Sequence, residues 1–532
     1  MFFHTEDAFI LFRIRGQTKG FVPFVLTQAM DQLSNKKLAT IAHKDNVSIP
    51  GTALLQLPEK VLQFGTGVLL RGLTDYYIDK ANKLGLFNGR VVVVKSTPGS
   101  PPVEFAQQDN LYTQCIRGLQ QGERINEYSI NASISRVISA QQDWQAILNC
   151  AADPGVQIII SNTTEIGISL NEQDTIASGT VPESFPGKLL ACLYHRYHVF
   201  AGAAGAGMVI LPTELLPNNG EQLKNICTQL ALLNNMDDAF IQWLQDANDF
   251  CNTLVDCIVP GALPSTEASR TETYLGFTDK LMIMSEAYRL WAIETSKSTT
   301  REILSFAAAD PSIIISDDIG KFRDLKLRLL NGAHTFSCGL ALLSGFETVK
   351  EAMNNASFEK FIRELMISEI APTLVSAHLQ PDEAVHFAKR VLDRFRNPHI
   401  EHRWASISAQ YTAKMLMRNI PTLLSYYQLY GKAPQHMALG FAAYLYFMRS
   451  EQTPANRYFR HCYGKQIYIE DSYAEMLYHQ WHKGRTEETV YHILSDSSLW
   501  GTDLSELPGF GAAVLHHLLK LKTQSKTNYH TT

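Results

Sequence analysis

Three short apolar runs, Val91-Val92-Val93-Val94, Val156-Gln157-Ile158-Ile159-Ile160 and Met208-Val209-Ile210-Leu211, each follow a stretch of helical character in the first half of this chain. Runs so uniformly aliphatic suit strands buried on both faces. Strands that alternate with helices have few solutions, because each parallel crossover must lay its helix on a face of the sheet. The pattern predicts an α/β fold built on a doubly wound parallel sheet. Beyond about Thr278 the character changes to longer helical patterns, over Lys280 to Thr295, Lys321 to Leu343, Ser357 to Ser368, Asp382 to Arg394 and Ser406 to Met417. The Pro/Ser/Thr-rich stretch from Pro260 to Thr273 is the natural connector. The expected division is an extension over residues 1–50, a dinucleotide-binding domain over 51–278, a mainly α-helical C-terminal domain over 279–520, and a frayed polar tail over 521–532. Within the extension, residues 1–29 precede a second methionine, Met30, and are left out of the fold argument.

The 532 residues, 45% of them hydrophobic, suffice for two sizeable cores. A formal charge of −5 is not the balance of a nucleic-acid binder. The longest mainly apolar stretch, from Val199 to Pro212, is short and rich in Gly and Ala, so no membrane span is expected. Eight cysteines are scattered without a CxxC pair, which fits reduced thiols in a cytoplasmic protein. Glu6 and Asp7 precede the first apolar patch, so no secretory leader is expected. The expected partner is a small molecule, and the expected state a monomer or small homo-oligomer.

Ahead of the first apolar run, Val61-Leu62-Gln63-Phe64 reads as a strand, Gly65-Thr66-Gly67 as a turn, and Leu69 to Leu84 as helical. A strand, Gly-x-Gly and a helix bring a pyrophosphate onto backbone N–H groups where the helix dipole favours it. The third Gly of the usual fingerprint is missing, so position at the first turn of an α/β region carries the reading. It makes the first domain Rossmann-like, with Gly65, Thr66 and Gly67 against NAD. No acid ends the second strand, where Lys95-Ser96-Thr97 stands instead, so NADP stays open. The polar run Ser161 to Gly167, with Thr164 and Glu165, follows a strand and is expected to edge the cofactor.

The run Lys326-Leu-Arg-Leu-Leu-Asn331-Gly-Ala-His334 reads as a catalytic helix. At about 100° per residue, Asn331 and His334 lie roughly 140° and 80° around the axis from Lys326, on one broad face. A lysine with a lowered pKa can exchange a proton with a reacting oxygen, and an asparagine amide can donate to that oxygen as it gains charge. The histidine can orient the lysine or hold a substrate hydroxyl. None of these tasks needs a metal. His399-x-x-His402 has the spacing of a zinc pair, but such a pair beside Arg394 and Arg403 is more often structural.

With these pieces in place, the chain resembles the mannitol dehydrogenase family of long-chain polyol and sugar-acid dehydrogenases, over roughly residues 57 to 500. The matching elements are Lys326-x4-Asn331-x2-His334, Gly65-x-Gly67 with Arg71, Thr164-Glu165-x-Gly167, Asn219-Gly220, Val255-Asp256-x-Ile258-x-Pro260 and Arg394-Phe395-x-Asn397-Pro398. The resemblance implies zinc-independent, NAD(P)-dependent oxidation of a CH–OH group. It makes Lys326 the general acid/base, Asn331 an oxyanion donor joined by Asn219, and His334 a pocket residue. Arg71 joins the cofactor site, and Asp256 and Arg394 become substrate-pocket candidates. The stretches around Gly65, Lys95 and Thr164 look most like the branch reducing hexuronate-derived keto acids, which implies a substrate carboxylate met by Arg394, Arg403, Lys414 or Arg418. Members acting on fructuronate or on mannitol and fructose are the alternatives. Two departures stand out: Cys257 where the family has Arg, and Arg323 where some polyol dehydrogenases have an acid.

Overall fold

The computed structural model describes residues 30–100, 102–163, 167–176 and 180–529. Residues 1–29, Thr164 and Glu165 lie outside them. Six strands form the expected sheet: β1 (Glu59–Phe64), β2 (Arg90–Lys95), β3 (Ile134–Ser139), β4 (Ile158–Ser161), β5 (Val209–Pro212) and β6 (Asp249–Phe250). Every pairing is parallel, and the order across the sheet is β3-β2-β1-β4-β5-β6. The order reverses between β1 and β4, which opens a crevice at their carboxyl ends. Alternate side chains serve opposite layers. Val61, Val91 and Val93 belong to one buried core with Leu70, Leu73 and Tyr77 on one face, while Leu62, Phe64, Val92 and Val94 belong to a second with Phe185 and Leu189 on the other.

Several expectations are corrected. Residues 30–50 are not a loose extension: Asn35–Leu38 is helical, Val47–Ser48 pairs with Tyr128–Ser129, and Leu33, Leu38 and Val47 are buried. The helix expected over Lys280 to Thr295 is two strands, Ile283–Glu286 and Leu290–Glu294. The first extends a four-stranded sheet by pairing with Tyr112–Gln120. The second lies between Thr253–Asp256 and Ile313–Ser316. The last helix, Phe510–Tyr529, carries on through residues where a frayed tail was expected. No helix among the described residues is long and apolar enough to cross a membrane.

From Gly320 the chain is mainly helical, and the run bearing Lys326 is its central rod. Gly320–Asp324 and Ala333–Leu343 are α-helical, but Leu325–Gly332 between them is a π-helix. Bonds closing i→i+5 bring residues five apart to roughly one turn's separation, so Asn331 stands closer above Lys326 than the α-helical angle implies. The rod is held by close backbone approach. A Cβ on Gly339 would lie 2.8 Å from the backbone of Ala443, and one on Gly440 would lie 2.7 Å from the Phe336 carbonyl oxygen. Gly339→Ala and Gly440→Ala should each destabilise the fold by about 1–3 kcal/mol, because backbone has to give way. Urea unfolding of the variants checks this.

Candidate active site

The strand Thr253–Asp256 presents its last carboxylate to the rod. Lys326 Nζ donates to the Val255 carbonyl oxygen at 2.8 Å and lies 3.9 Å from Asp256 Oδ1. Asp256 is in turn gripped by Arg394, from the helix Pro381–Phe395, through bonds of 2.6 and 3.1 Å. The same guanidinium holds Glu286, at the end of its strand, through bonds of 2.8 and 3.1 Å. Glu286 also accepts the Ile258 N–H at 2.7 Å, and the Tyr288 ring lies 4.2 Å from the guanidinium. All three charged side chains are nearly inaccessible.

This network sets the electrostatics of Lys326. Burial pushes its ammonium below the ordinary lysine range, helped by Arg394 and opposed by Asp256. Burial also works against the Asp256 charge, but Arg394 and then Lys326 hold that carboxyl below the usual range. Burial, together with the repulsion of Asp256, raises Glu286 despite Arg394. Buried in apolar surroundings beside His402, His334 is pushed well below the ordinary histidine range and stays neutral.

Lys326, Asn331, His334, Asp256 and Arg394 line one cavity of about 190 Å³, with His402 and Lys350 on other walls. That volume is below the range of drug-sized pockets and suits one small molecule. His334 is stacked on Phe395 at 4.0 Å and meets the His402 ring edge-on at 4.9 Å. Its Nε2 is buried without a hydrogen-bond partner. Such an atom is costly to bury unless something bonds it.

Other expected residues sit elsewhere. Asn219 opens the helix after β5 and is not on the cavity wall. Its amide donates to the carbonyl oxygens of Pro212, Glu214 and Thr253 and accepts from Gly220 and Thr253 N–H. Arg394 has its guanidinium committed to two internal carboxylates. Arg403 is exposed, Lys414 donates to the Ile407 carbonyl, Arg418 reaches Thr335, and none of the three lines the cavity. His399 feels Arg117 and Glu267 while His402 packs on His334, so the two rings have different surroundings.

At the crevice, Gly65 has φ of +132°, which a side chain would strain, and a Cβ there would lie 3.0 Å from Asn162 O. A Cβ on Gly67 would meet nothing within 4 Å, leaving space against the turn for a ligand. Ser96, just past β2, has a buried hydroxyl without a partner, while Lys95 Nζ is spent on Thr97 and Pro98 of its own turn. Arg71 is buried against the second sheet, donating to Leu281 O at 2.8 Å. Glu214, which sequence reasoning missed, is buried beyond β5 and accepts from Ser161 and from the Thr163 N–H and hydroxyl. It ties down the residues at the end of β4 and just past it. The crevice and the rod share one segment, since Val259 abuts Gly72 and Gly261 abuts Val68, a few residues beyond the Val255 carbonyl that holds Lys326.

Comparison with known proteins agrees with this architecture. The mannitol dehydrogenase Rossmann domain matches residues 59–304, and the mannitol dehydrogenase C-terminal domain matches residues 318–522. The altronate oxidoreductase of Bacillus subtilis (strain 168) is 38% identical over 472 residues, covering 88% of this chain and 94% of its own. That of Halalkalibacterium halodurans is 37% identical over 85% of this chain and 88% of its own. The structure of Pseudomonas fluorescens mannitol 2-dehydrogenase, a ternary complex with NAD and D-mannitol, shares the fold. It has a TM-score of 0.63 at 20% identity, over 94% of this chain and 100% of that one. The chain belongs to the mannitol dehydrogenase family.

Removing the cation from the buried network should be far costlier than removing a surface ion pair. Arg394→Met leaves two buried carboxylates facing each other and should destabilise the protein by about 3–5 kcal/mol. Loss of the exposed Arg301–Asp317 pair through Asp317→Ala should cost under about 1 kcal/mol. Denaturant unfolding of both variants checks the contrast.

Proposed function

We propose that this chain is an NAD(H)-dependent oxidoreductase that interconverts tagaturonate and altronate, the keto and hydroxy forms of a hexuronate-derived acid. The observation that carries the reading is the cavity itself: a largely buried lysine beside a carboxylate, in a wall shared with a histidine whose Nε2 has no protein partner. The altronate oxidoreductases at 37–38% identity support the substrate.

The open approach at Gly67 and the unpartnered Ser96 hydroxyl fit a dinucleotide lying across the crevice, with Gly65, Thr66 and Gly67 at its pyrophosphate. When bound, the cofactor supplies or takes up the hydride. Lys95 is occupied by its own turn, which favours NAD over NADP. In the reductive direction Lys326 gives its proton to the oxygen of the former keto group, and Asn331 donates to that oxygen as charge builds. In the oxidative direction neutral Lys326 takes the hydroxyl proton. Asp256 keeps the lysine in place and restores its proton affinity, while neutral His334 bonds a substrate hydroxyl. Arg394 acts through Asp256, and Asn219 keeps the turn after β5 in shape. His402, Asn397 and Lys350, whose ammonium is already paired with Glu401 and bonded to the Pro398 carbonyl, are the cavity's remaining donors for a carboxylate.

The test is NADH oxidation followed by absorbance, with tagaturonate, fructuronate and fructose offered separately. Turnover fastest with tagaturonate is the expected result; preference for fructose would mean that no carboxylate is read. Lys326→Ala should cut turnover by about two to four powers of ten and leave NADH affinity near wild type. Turnover equal to wild type would remove the lysine from the mechanism.

A further inference from the structure

We propose that a second, larger cleft behind Arg394 binds a small doubly charged anion, a phosphate ester or a dicarboxylate, as an effector of this enzyme. The cleft encloses about 1070 Å³ and lies between the two halves of the chain. Tyr76, Tyr288 and Arg289 line it from the first half, and His386, Lys389 and Arg390 from the second. The last three are spaced i, i+3 and i+4 on the helix Pro381–Phe395, so they share one face.

The charge in this cleft is not balanced. Asp310 is taken by Lys80 at 2.7 Å, Asp393 lies 3.7 Å from Arg396, and Glu359 serves Arg363 and Arg396. Among the described residues, none of these pairs takes up Lys389 or Arg390. Arg289 directs its donors to the carbonyls of Gly72 and Ala287 and to the Ser285 hydroxyl, so no carboxylate neutralises it either. Glu127 is the acid left at the exposed rim. Arg390 Nε is buried without a hydrogen-bond partner. Packing on the Tyr288 ring at 4.7 Å and near the Phe387 ring at 5.7 Å hides that donor and holds the guanidinium in place at the cleft. A guanidinium and an ammonium on one helix face, in a cleft that also carries the buried positive charge of Arg289, match the several acceptor oxygens of a dianion.

The position gives the ligand a route to the chemistry. The Tyr288 ring lies 4.7 Å from the Arg390 guanidinium and 4.2 Å from that of Arg394, so one ring separates the cleft from the Arg394–Asp256–Lys326 chain. An anion that draws Arg390 off the ring changes the packing of Arg394 from behind. It also bridges elements from both halves, so its binding couples to whatever motion the halves make around substrate.

Calorimetric titration of the full chain with inorganic phosphate, and separately with malonate, at ionic strength fixed with sodium chloride, reads this site without reference to the reaction proposed above. The expected result is one anion per chain with Kd at or below about 1 mM. Binding should persist with saturating NADH. It should weaken at least about tenfold in the double variant Lys389→Gln, Arg390→Gln, provided that variant melts as wild type does. If the double variant does not fold, Lys389→Gln alone, at an exposed helix position, should weaken binding by about threefold. Phosphate alone binding marks a phosphate ester, malonate alone a dicarboxylate. Binding of neither overturns the site, as does binding unchanged in the variants or abolished by NADH, which would put the anion in the cofactor crevice. Saturating anion should change kcat or KM at least about twofold in wild type, and unchanged kinetics would overturn the effector role.

Discussion

The Arg394 guanidinium, clamped between Asp256 and Glu286, is the interaction on which the rest of this structure depends. It joins a helix of the C-terminal half to two strands of the N-terminal half, and all three side chains are nearly inaccessible there. Two buried carboxylates could not face each other without it, and a buried arginine would be untenable without them. The network fixes the end of the strand Thr253–Asp256, and the carbonyl and carboxylate at that end fix the Lys326 ammonium.

Lys326 thereby comes under opposing influences. Burial and Arg394 favour its neutral form, while Asp256 favours its charged form. A proton carrier that works in both directions needs both forms within reach, and this balance provides them. The π-helical turn adds the geometry by setting Asn331 above Lys326, on the wall that also bears His334. The glycine seam at Gly339 and Gly440 then carries the rod at a fixed depth against its neighbour. The crevice at Gly65 to Gly67 and the rod that bears Lys326 are joined by one short segment, Thr253 to Gly261, so the two proposed sites form a single construction.

Much of this was legible in the sequence where local pattern is decisive. The runs at Val91, Val156 and Met208 are strands because fully buried parallel strands need continuous aliphatic side chains. Lys326, Asn331 and His334 were found together because a helix face is a local property. Ile283–Glu286 and Leu290–Glu294 were misread as helix because short apolar runs broken by polar residues satisfy either period. The hairpin from Tyr112 to Asn131 went unread because its strands are rich in polar residues, although the positive φ values at Gln121 and Gly122 mark its turn. The commitment of Arg394 could not be read at all, since its partners stand 138 and 108 residues away. Asn219 drew attention for the same reason that it is buried: a short amide satisfying five backbone groups at a helix start looks, in sequence, like one reserved for a ligand.

The most direct test of the account is the pH dependence of kcat for ketone reduction, in wild type and in Asp256→Asn. Only protonated Lys326 can donate, so kcat should fall as pH rises through a pKa below the ordinary 10.5, and oxidation should rise through the same limb. Asp256 raises the proton affinity of Lys326, so its neutral replacement should move that limb to lower pH. A limb that stays in place in the variant, or moves upward, would contradict the claim that this carboxylate and this lysine form the proton-transfer unit.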